Sequence, residues 1–308
     1  MAAQRIGAGN LPVLITGETG AGKEVLAREV HDASPRARHP FSVFVCSAVP
    51  RDMLESHLFG HRRGAFTGAI DHFPGIIRAN EGGTLLLDEI GEISLEQQVK
   101  LLRFLETGEV HPLGETKPVK VDVRIIAATN QPLDKLIAEG RFREDLYYRL
   151  NVVRFLVPPL RERREEILPF FEHFLTRECS NAGRRVPALS DASVEHLLLY
   201  RWPGNVRQLY NEVRRILSVI QDGDDITPDI LATEIVEERR SAIAAAIAAE
   251  PHQVLVRTNQ PLQAAIEDLE RVMISRALKQ SADLESAAQA LDITRKGLFL
   301  KRRRLALD

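Results

Sequence analysis

The sequence predicts a three-layer α/β fold with a mostly parallel sheet, followed by an α-helical lid and a small all-α helix-turn-helix unit. Three observations carry this. A short apolar run, Leu11–Thr16, opens directly into the glycine loop Gly17-Glu18-Thr19-Gly20-Ala21-Gly22-Lys23-Glu24 and then into the helical run Val25–His31, the strand, loop, helix order of a phosphate-binding unit. Two further runs, Gly82–Glu89 and Val121–Ala128, read as strands that end in polar residues. Past the paired prolines Pro158-Pro159 the apolar spacing becomes helical to about Val219.

Bulk properties narrow the class. With 308 residues, 44% of them hydrophobic, the chain can bury more than one core. Its 41 basic and 43 acidic residues nearly cancel, so contact with nucleic acid must come from local clustering, which occurs at the C-terminus. Cys46 and Cys179 are far apart and lack metal-ligand spacing, which argues against a disulfide scaffold or a zinc site. No apolar run approaches the roughly 20 residues needed to span a bilayer, and the polar start has no signal-peptide core. A cytoplasmic protein without a membrane contact is expected.

In the glycine loop, Gly17, Gly20 and Gly22 let backbone N–H groups turn toward one centre, Lys23 adds a point charge, and the helix N-terminus favours an anion. Glu18, Thr19, Ala21 and Glu24 complete the loop. The residue after the lysine is Glu24 where a hydroxyl would usually bind Mg²⁺, so the metal must lean on another carboxylate. Asp88 and Glu89, at the end of the second strand, supply it. Asp88 is placed to hold Mg²⁺ through water, and Glu89 to polarise the water attacking the γ-phosphate of ATP.

Between these two halves lies Gly64-Ala65-Phe66-Thr67-Gly68-Ala69, an apolar tip between glycine hinges. The stretch Leu54–Ala69 resembles the L-E-S-E-L-F-G-H-E-K-G-A-F-T-G-A segment of bacterial enhancer-binding activators, the NtrC-type AAA+ ATPases that remodel sigma-54 RNA polymerase holoenzyme. Only His57, Arg62 and Arg63 differ, and they make the loop base more basic. His57 and His61 have no third ligand nearby, so zinc is not expected.

The resemblance extends over nearly the whole chain. Asn130, after the third strand, resembles the AAA+ sensor that reads the γ-phosphate or the attacking water. Gly140–Leu150 matches the family's G-x-F-R-x-D-L-x-x-R-L, which implies that Arg143 and Arg149 are arginine fingers acting on a neighbouring subunit. Such fingers require a homo-oligomer, from a dimer to a hexameric or heptameric ring. Trp202–Leu209 matches W-P-G-N-V-R-E-L at all but one residue and implies that Arg207 senses nucleotide from the lid.

Two departures stand out. The family's V-N-C-A, whose Asn restrains the catalytic Glu, reads here as Phe44-Val45-Cys46-Ser47. Val45 cannot hydrogen-bond a carboxylate through its side chain, so either Ser47 substitutes from nearby or the restraint is absent. The family also carries roughly 20 further residues before the first strand, about the size of a missing nucleotide-binding edge. Either the start is truncated or adenine contacts come mainly from the lid, and the regulatory input is expected from another chain.

The expected boundaries are 1–157 for the ATPase core, 158–233 for the lid, 234–260 for a linker and 261–308 for a DNA-binding unit. Leu262, Ile266, Leu269, Met273 and Ala277 form a helical stripe suited to packing between two chains. Residues 284–291 and 294–304 follow as a helix-turn-helix with Ala287, Ala288 and Leu291 inward, and Arg295, Lys296, Lys301 and Arg302 offered to DNA. This unit resembles the Fis-type domain of the same activators, with Gly297, Leu300 and Arg302 departing from its pattern. The leading expectation is an ATPase that binds upstream enhancer DNA and opens sigma-54 polymerase complexes through Phe66-Thr67. Two others compete: a DNA-binding regulator with a decayed nucleotide site, and a general AAA+ remodeller of other proteins.

Overall fold

The strands alternate strictly between two cores, and this alternation builds the three layers. In the computed structural model, which describes residues 9–221, 223–238, 261–281, 283–305 and 307, the chain forms two compact units, Met1–Ala232 and Thr233–Asp308. The first contains β1 (Val13–Thr16), β2 (Phe41–Val45), β3 (Thr84–Asp88), β6 (Arg124–Thr129) and β7 (Val153–Leu156) in one parallel sheet of order β2-β3-β6-β1-β7. Leu14, Leu85, Leu87, Ile125 and Ala127 point to one face. There they meet α2 (Arg51–Phe59), α3 (Ile76–Ala79), α4 (Leu95–Thr107), α5 (Leu133–Ala138) and α6 (Glu144–Leu150). Val13, Ile15, Leu86, Ile126 and Ala128 point to the other, against Ala27 and Val30 of α1 (Lys23–Asp32). Burial on both faces explains why these strands read as continuous apolar runs.

Local signals set the helix ends. Ser94 and Gln97 form a capping box at the start of α4, and Gly108 ends it in the left-handed region at φ 70°. The chain then makes a small antiparallel pair, β4 (Glu109–Val110) with β5 (Val119–Lys120), before β6. At two residues each, these strands are too short to show a period in the sequence.

The lid consists of α7 (Ile167–Ala182), α8 (Asp191–Leu199) and α9 (Asn205–Val219). Phe171 and Leu175 of α7, Leu197 of α8, and Leu209, Val213 and Ile216 of α9 are buried in it. Ser190 caps α8 by accepting from the Ser193 amide.

In the second unit, residues 233–238 are helical, and the rest of the expected linker, 239–260, lies outside the described residues. Three helices follow: α10 (Leu262–Gln280), α11 (Leu284–Ala290) and α12 (Arg295–Leu305). Ile274, Ala277, Ala287, Ala288, Leu298 and Leu305 form their core, with Leu291 packed at its edge. The expected inward positions of α11 are therefore correct. On α10, Leu262, Ile266 and Met273 are exposed, and of the predicted stripe only Ala277 is buried in this core.

Candidate active site

The loop after β1 is shaped by two left-handed glycines, Gly20 at φ 76° and Gly22 at φ 103°. At Gly20 space matters as well. A Cβ there would come within 2.4 Å of the Gly204 carbonyl oxygen, so only glycine lets the lid approach the loop this closely. Lys23 is 8% exposed and donates to the carbonyls of Gly17 (2.9 Å) and Glu18 (3.1 Å). Burial lowers its pKa, against the opposing pull of Asp88 and Glu89. The lysine thus sits partly desolvated, facing two carboxylates.

Lid residues grip the same loop. Arg161 forms a two-pronged ion pair with Glu18, at 2.8 and 2.6 Å. Asn205, wholly buried and held at φ 52°, donates to Glu18 Oε2 (3.2 Å) and the Thr19 carbonyl (3.1 Å) while accepting from the Leu160 amide (2.8 Å). Arg163 donates to the Ala21 carbonyl at 2.6 Å. The hydrogen bonds from Arg161 and Asn205 draw the Glu18 carboxyl down from 4.5 to about 2. Because the folded value is the depressed one, this clamp contributes fully above about pH 4.5 and is lost as pH falls toward 2. Chemical denaturation across that window should show the stability advantage of wild type over Glu18→Gln shrinking steadily. An advantage independent of pH would contradict the clamp.

Core and lid enclose a cavity of about 290 Å³. Thr19, Gly20, Gly22, Lys23, Glu24, Asp88, Glu89 and Arg207 line it, as the sequence led us to expect for a nucleotide site. Phe174, Arg177, Val206 and Tyr210 line it too and were not foreseen. The Arg177 guanidinium lies 5.4 Å from the Phe174 ring centroid and 5.1 Å from that of Tyr210, and the two rings meet edge to face at 5.3 Å. The one signal available was Tyr210 falling three residues after Arg207 on α9. Asn130 is beside the loop, donating to Thr19 Oγ1 at 3.0 Å.

Glu89 holds a left-handed backbone conformation, φ 56° and ψ 44°, uncommon for a residue with a side chain. Asp88 accepts from the Glu89 amide at 2.9 Å. Val45 pairs in register with Asp88 across β2 and β3. Ser47, in the 3₁₀ turn that follows β2, donates its hydroxyl to Glu89 Oε2. Of the two possibilities left open by Val45, the structure therefore shows the serine contact. The neighbouring Cys46 thiol is inert, pushed up to about 12 by burial and by Asp88 and Glu89.

The two candidate fingers lie away from this cavity in their own chain. Arg143 pairs with Asp145 at 2.6 Å, which raises its pKa, and Arg149 donates to the Leu105 carbonyl at 2.7 and 3.2 Å. The hexapeptide closes on itself: the Gly64 amide donates to the Ala69 carbonyl (2.8 Å) and the Ala69 amide to that of Phe66 (3.0 Å). Gly64 and Gly68 have φ of 81° and 104° with open space around them, so glycine is needed there for conformation alone. Phe66 is 39% exposed, its ring 5.0 Å from that of His61, which in turn bonds Ser56 at 2.7 Å. Thr67 is exposed.

Residues 1–156 match the family described as the Sigma-54 interaction domain, and residues 161–247 the AAA+ ATPase lid domain. The response regulator protein PilR of Pseudomonas aeruginosa is 40% identical over 96% of this chain and 65% of its own length. The Nif-specific regulatory protein of Azotobacter vinelandii is 42% identical over 94% of this chain and 53% of its own. Among solved structures, NtrX from Brucella abortus in complex with ATP superposes with a TM-score of 0.70 at 33% identity, covering 99% of this chain and 66% of that one. The chain thus spans about half to two thirds of the length of the curated relatives it matches. With a phosphate loop, an acidic strand end and a helical lid converging on one cavity, and with these matches, the chain belongs to the sigma-54-dependent transcriptional activators.

Proposed function

We propose that this chain binds and hydrolyses ATP in a ring of identical subunits and uses the work to remodel the sigma-54 RNA polymerase closed complex, while its second unit holds upstream DNA. One observation carries the reading: Lys23, Asp88, Glu89 and Arg207 face a single cavity. Its catalytic carboxylate is tethered to the turn ahead of α2, and the far end of α2 leads into the hexapeptide. The donor set fits Mg²⁺. Asp88 and Glu24 place two carboxylates on one cavity, oxygen donors that would suit a small hard dication. When bound, the ion neutralises charge on the phosphates, with Asp88 as its holder.

Each residue then has a task. Lys23 and the loop amides hold the β- and γ-phosphates, Arg207 and Asn130 report on the γ-phosphate, and Phe174, Arg177 and Tyr210 border the base. Glu89 orients the attacking water and takes its proton, which requires its carboxylate to leave Ser47. Release of Ser47 frees the start of α2, a nine-residue helix about 13 Å long, and so moves the loop it carries. Gly64 and Gly68 are the hinges, and Phe66 and Thr67 the contact. Arg143 and Arg149 act on the neighbouring subunit's phosphate, and the helix-turn-helix α11–α12 contacts DNA through Arg295, Lys296, Arg302 and, once it leaves Glu270 of α10, Lys301.

Trans-acting arginines make turnover depend on assembly. ATP hydrolysis per chain should rise more than proportionally with protein concentration until rings saturate. The absence of turnover at every concentration would instead support the decayed-site reading.

A further inference from the structure

We infer that the second unit reads a half-site bearing thymine, with Phe299 and Leu300 of α12 packing on thymine C5-methyl groups in the major groove. The inference rests on the DNA-binding role proposed above. Leu298 and Leu305 turn inward and are 1% and 3% exposed, so the core of this small unit is closed without Phe299 or Leu300. Those two side chains are 61% and 56% exposed.

They do not stand alone. Lys296, Phe299, Leu300 and Arg303 are all exposed and fall at i, i+3, i+4 and i+7, which places them on one stripe of the helix. The stripe is apolar at its centre and cationic at both ends. Two other cations of α12, Lys301 and Arg304, are engaged with Glu270 of α10. Among the described residues, neither Lys296 nor Arg303 takes part in an ion pair. Gly297, one turn before Leu300, adds no side chain to obstruct it.

A surface of this kind asks for a polyanion that offers an apolar group between its charges. Duplex DNA does so at the thymine methyl, the apolar group on the major-groove edge of the base pairs. With 11 residues α12 is about 16 Å long, and a single helix fits a groove about 12 Å wide. No arginine or lysine occupies positions 299 and 300, so the centre of the stripe lacks the usual donors to guanine and distinguishes thymine from cytosine by its methyl.

The test uses the full chain to select its site from a randomised duplex library. The selected duplex is then remade with deoxyuridine at each thymine in turn, which removes one methyl and nothing else. One or two positions should weaken binding about three- to five-fold each, the value of one buried methyl. Leu300→Ala or Phe299→Ala should abolish that penalty while keeping salt-dependent binding. Both side chains are exposed, so the variants should fold, which circular dichroism verifies. Equal affinity for thymine and uracil duplexes at every position would overturn the inference and leave DNA binding standing, as would a uracil penalty that survives in both variants. A change in oligomer size on Leu300→Ala without any uracil effect would likewise overturn it, reassigning the pair to contact between copies. Failure of wild type to bind any duplex at low salt would remove the DNA-binding reading and this inference together.

Discussion

Glu89→Gln is expected to lower ATP turnover by roughly 10²–10⁴-fold while ATP binding persists. The amide keeps the size and the left-handed backbone position of the side chain, but it cannot take a proton from water. Lys23, the loop amides and Arg207 are untouched, so nucleotide should still occupy the cavity. A coupled-enzyme assay and a fluorescent-nucleotide titration separate the two quantities. Ser47→Ala in the same assay should move turnover the other way, raising the rate of protein that has no polymerase to act on, because the Ser47 hydroxyl that engages Glu89 is gone. If Glu89→Gln retained near-native turnover, the base would have to be sought elsewhere.

Trp202→Ala should cost about 3–5 kcal/mol of stability and weaken nucleotide binding with it. Trp202 is completely buried, donates its indole N–H to the Leu197 carbonyl at 2.9 Å and meets the Tyr200 ring edge to face at 5.1 Å. Its φ of 52° begins the turn through Pro203 and Gly204 that delivers Asn205 to Glu18 and Thr19 and Arg207 to the cavity. Truncation leaves a void, an orphaned carbonyl and a turn without its anchor. Trp202→Phe, which keeps most of the ring packing and loses the hydrogen bond, should cost less. Urea unfolding measures the first effect and nucleotide titration the second; a variant destabilised by under about 1 kcal/mol would mean that the lid does not depend on this turn.

What could be read from the sequence was what lies within a few consecutive residues. The loop at Gly17–Glu24, the acids at Asp88-Glu89 and the glycine-hinged tip at Gly64–Ala69 each carry their chemistry in one short stretch, and the first two meet in the cavity. What stayed hidden depends on distant segments meeting. Glu18 and Arg161 are 143 positions apart, and nothing in either stretch names the other. Phe174 and Arg177 read as ordinary members of a lid helix until α7 packs beside α9 and carries them to the cavity. The partner of Glu89 was left undecided for the same reason. Only the parallel pairing of β2 with β3 shows that Ser47, two residues beyond Val45, is the one that reaches it. Leu300 of α12 was visible only as a departure from a pattern, because whether it turns inward or outward depends on how three short helices pack.

The most direct test is open-complex formation with sigma-54 holoenzyme on a supercoiled promoter in the presence of ATP, comparing wild type with Thr67→Ala. Wild type should melt the promoter and the variant should not, with ATP turnover equal in both, because Thr67 lies on the exposed loop and outside the cavity residues. Undiminished melting by Thr67→Ala, or wild type that hydrolyses ATP and never opens the promoter, would contradict the proposed function.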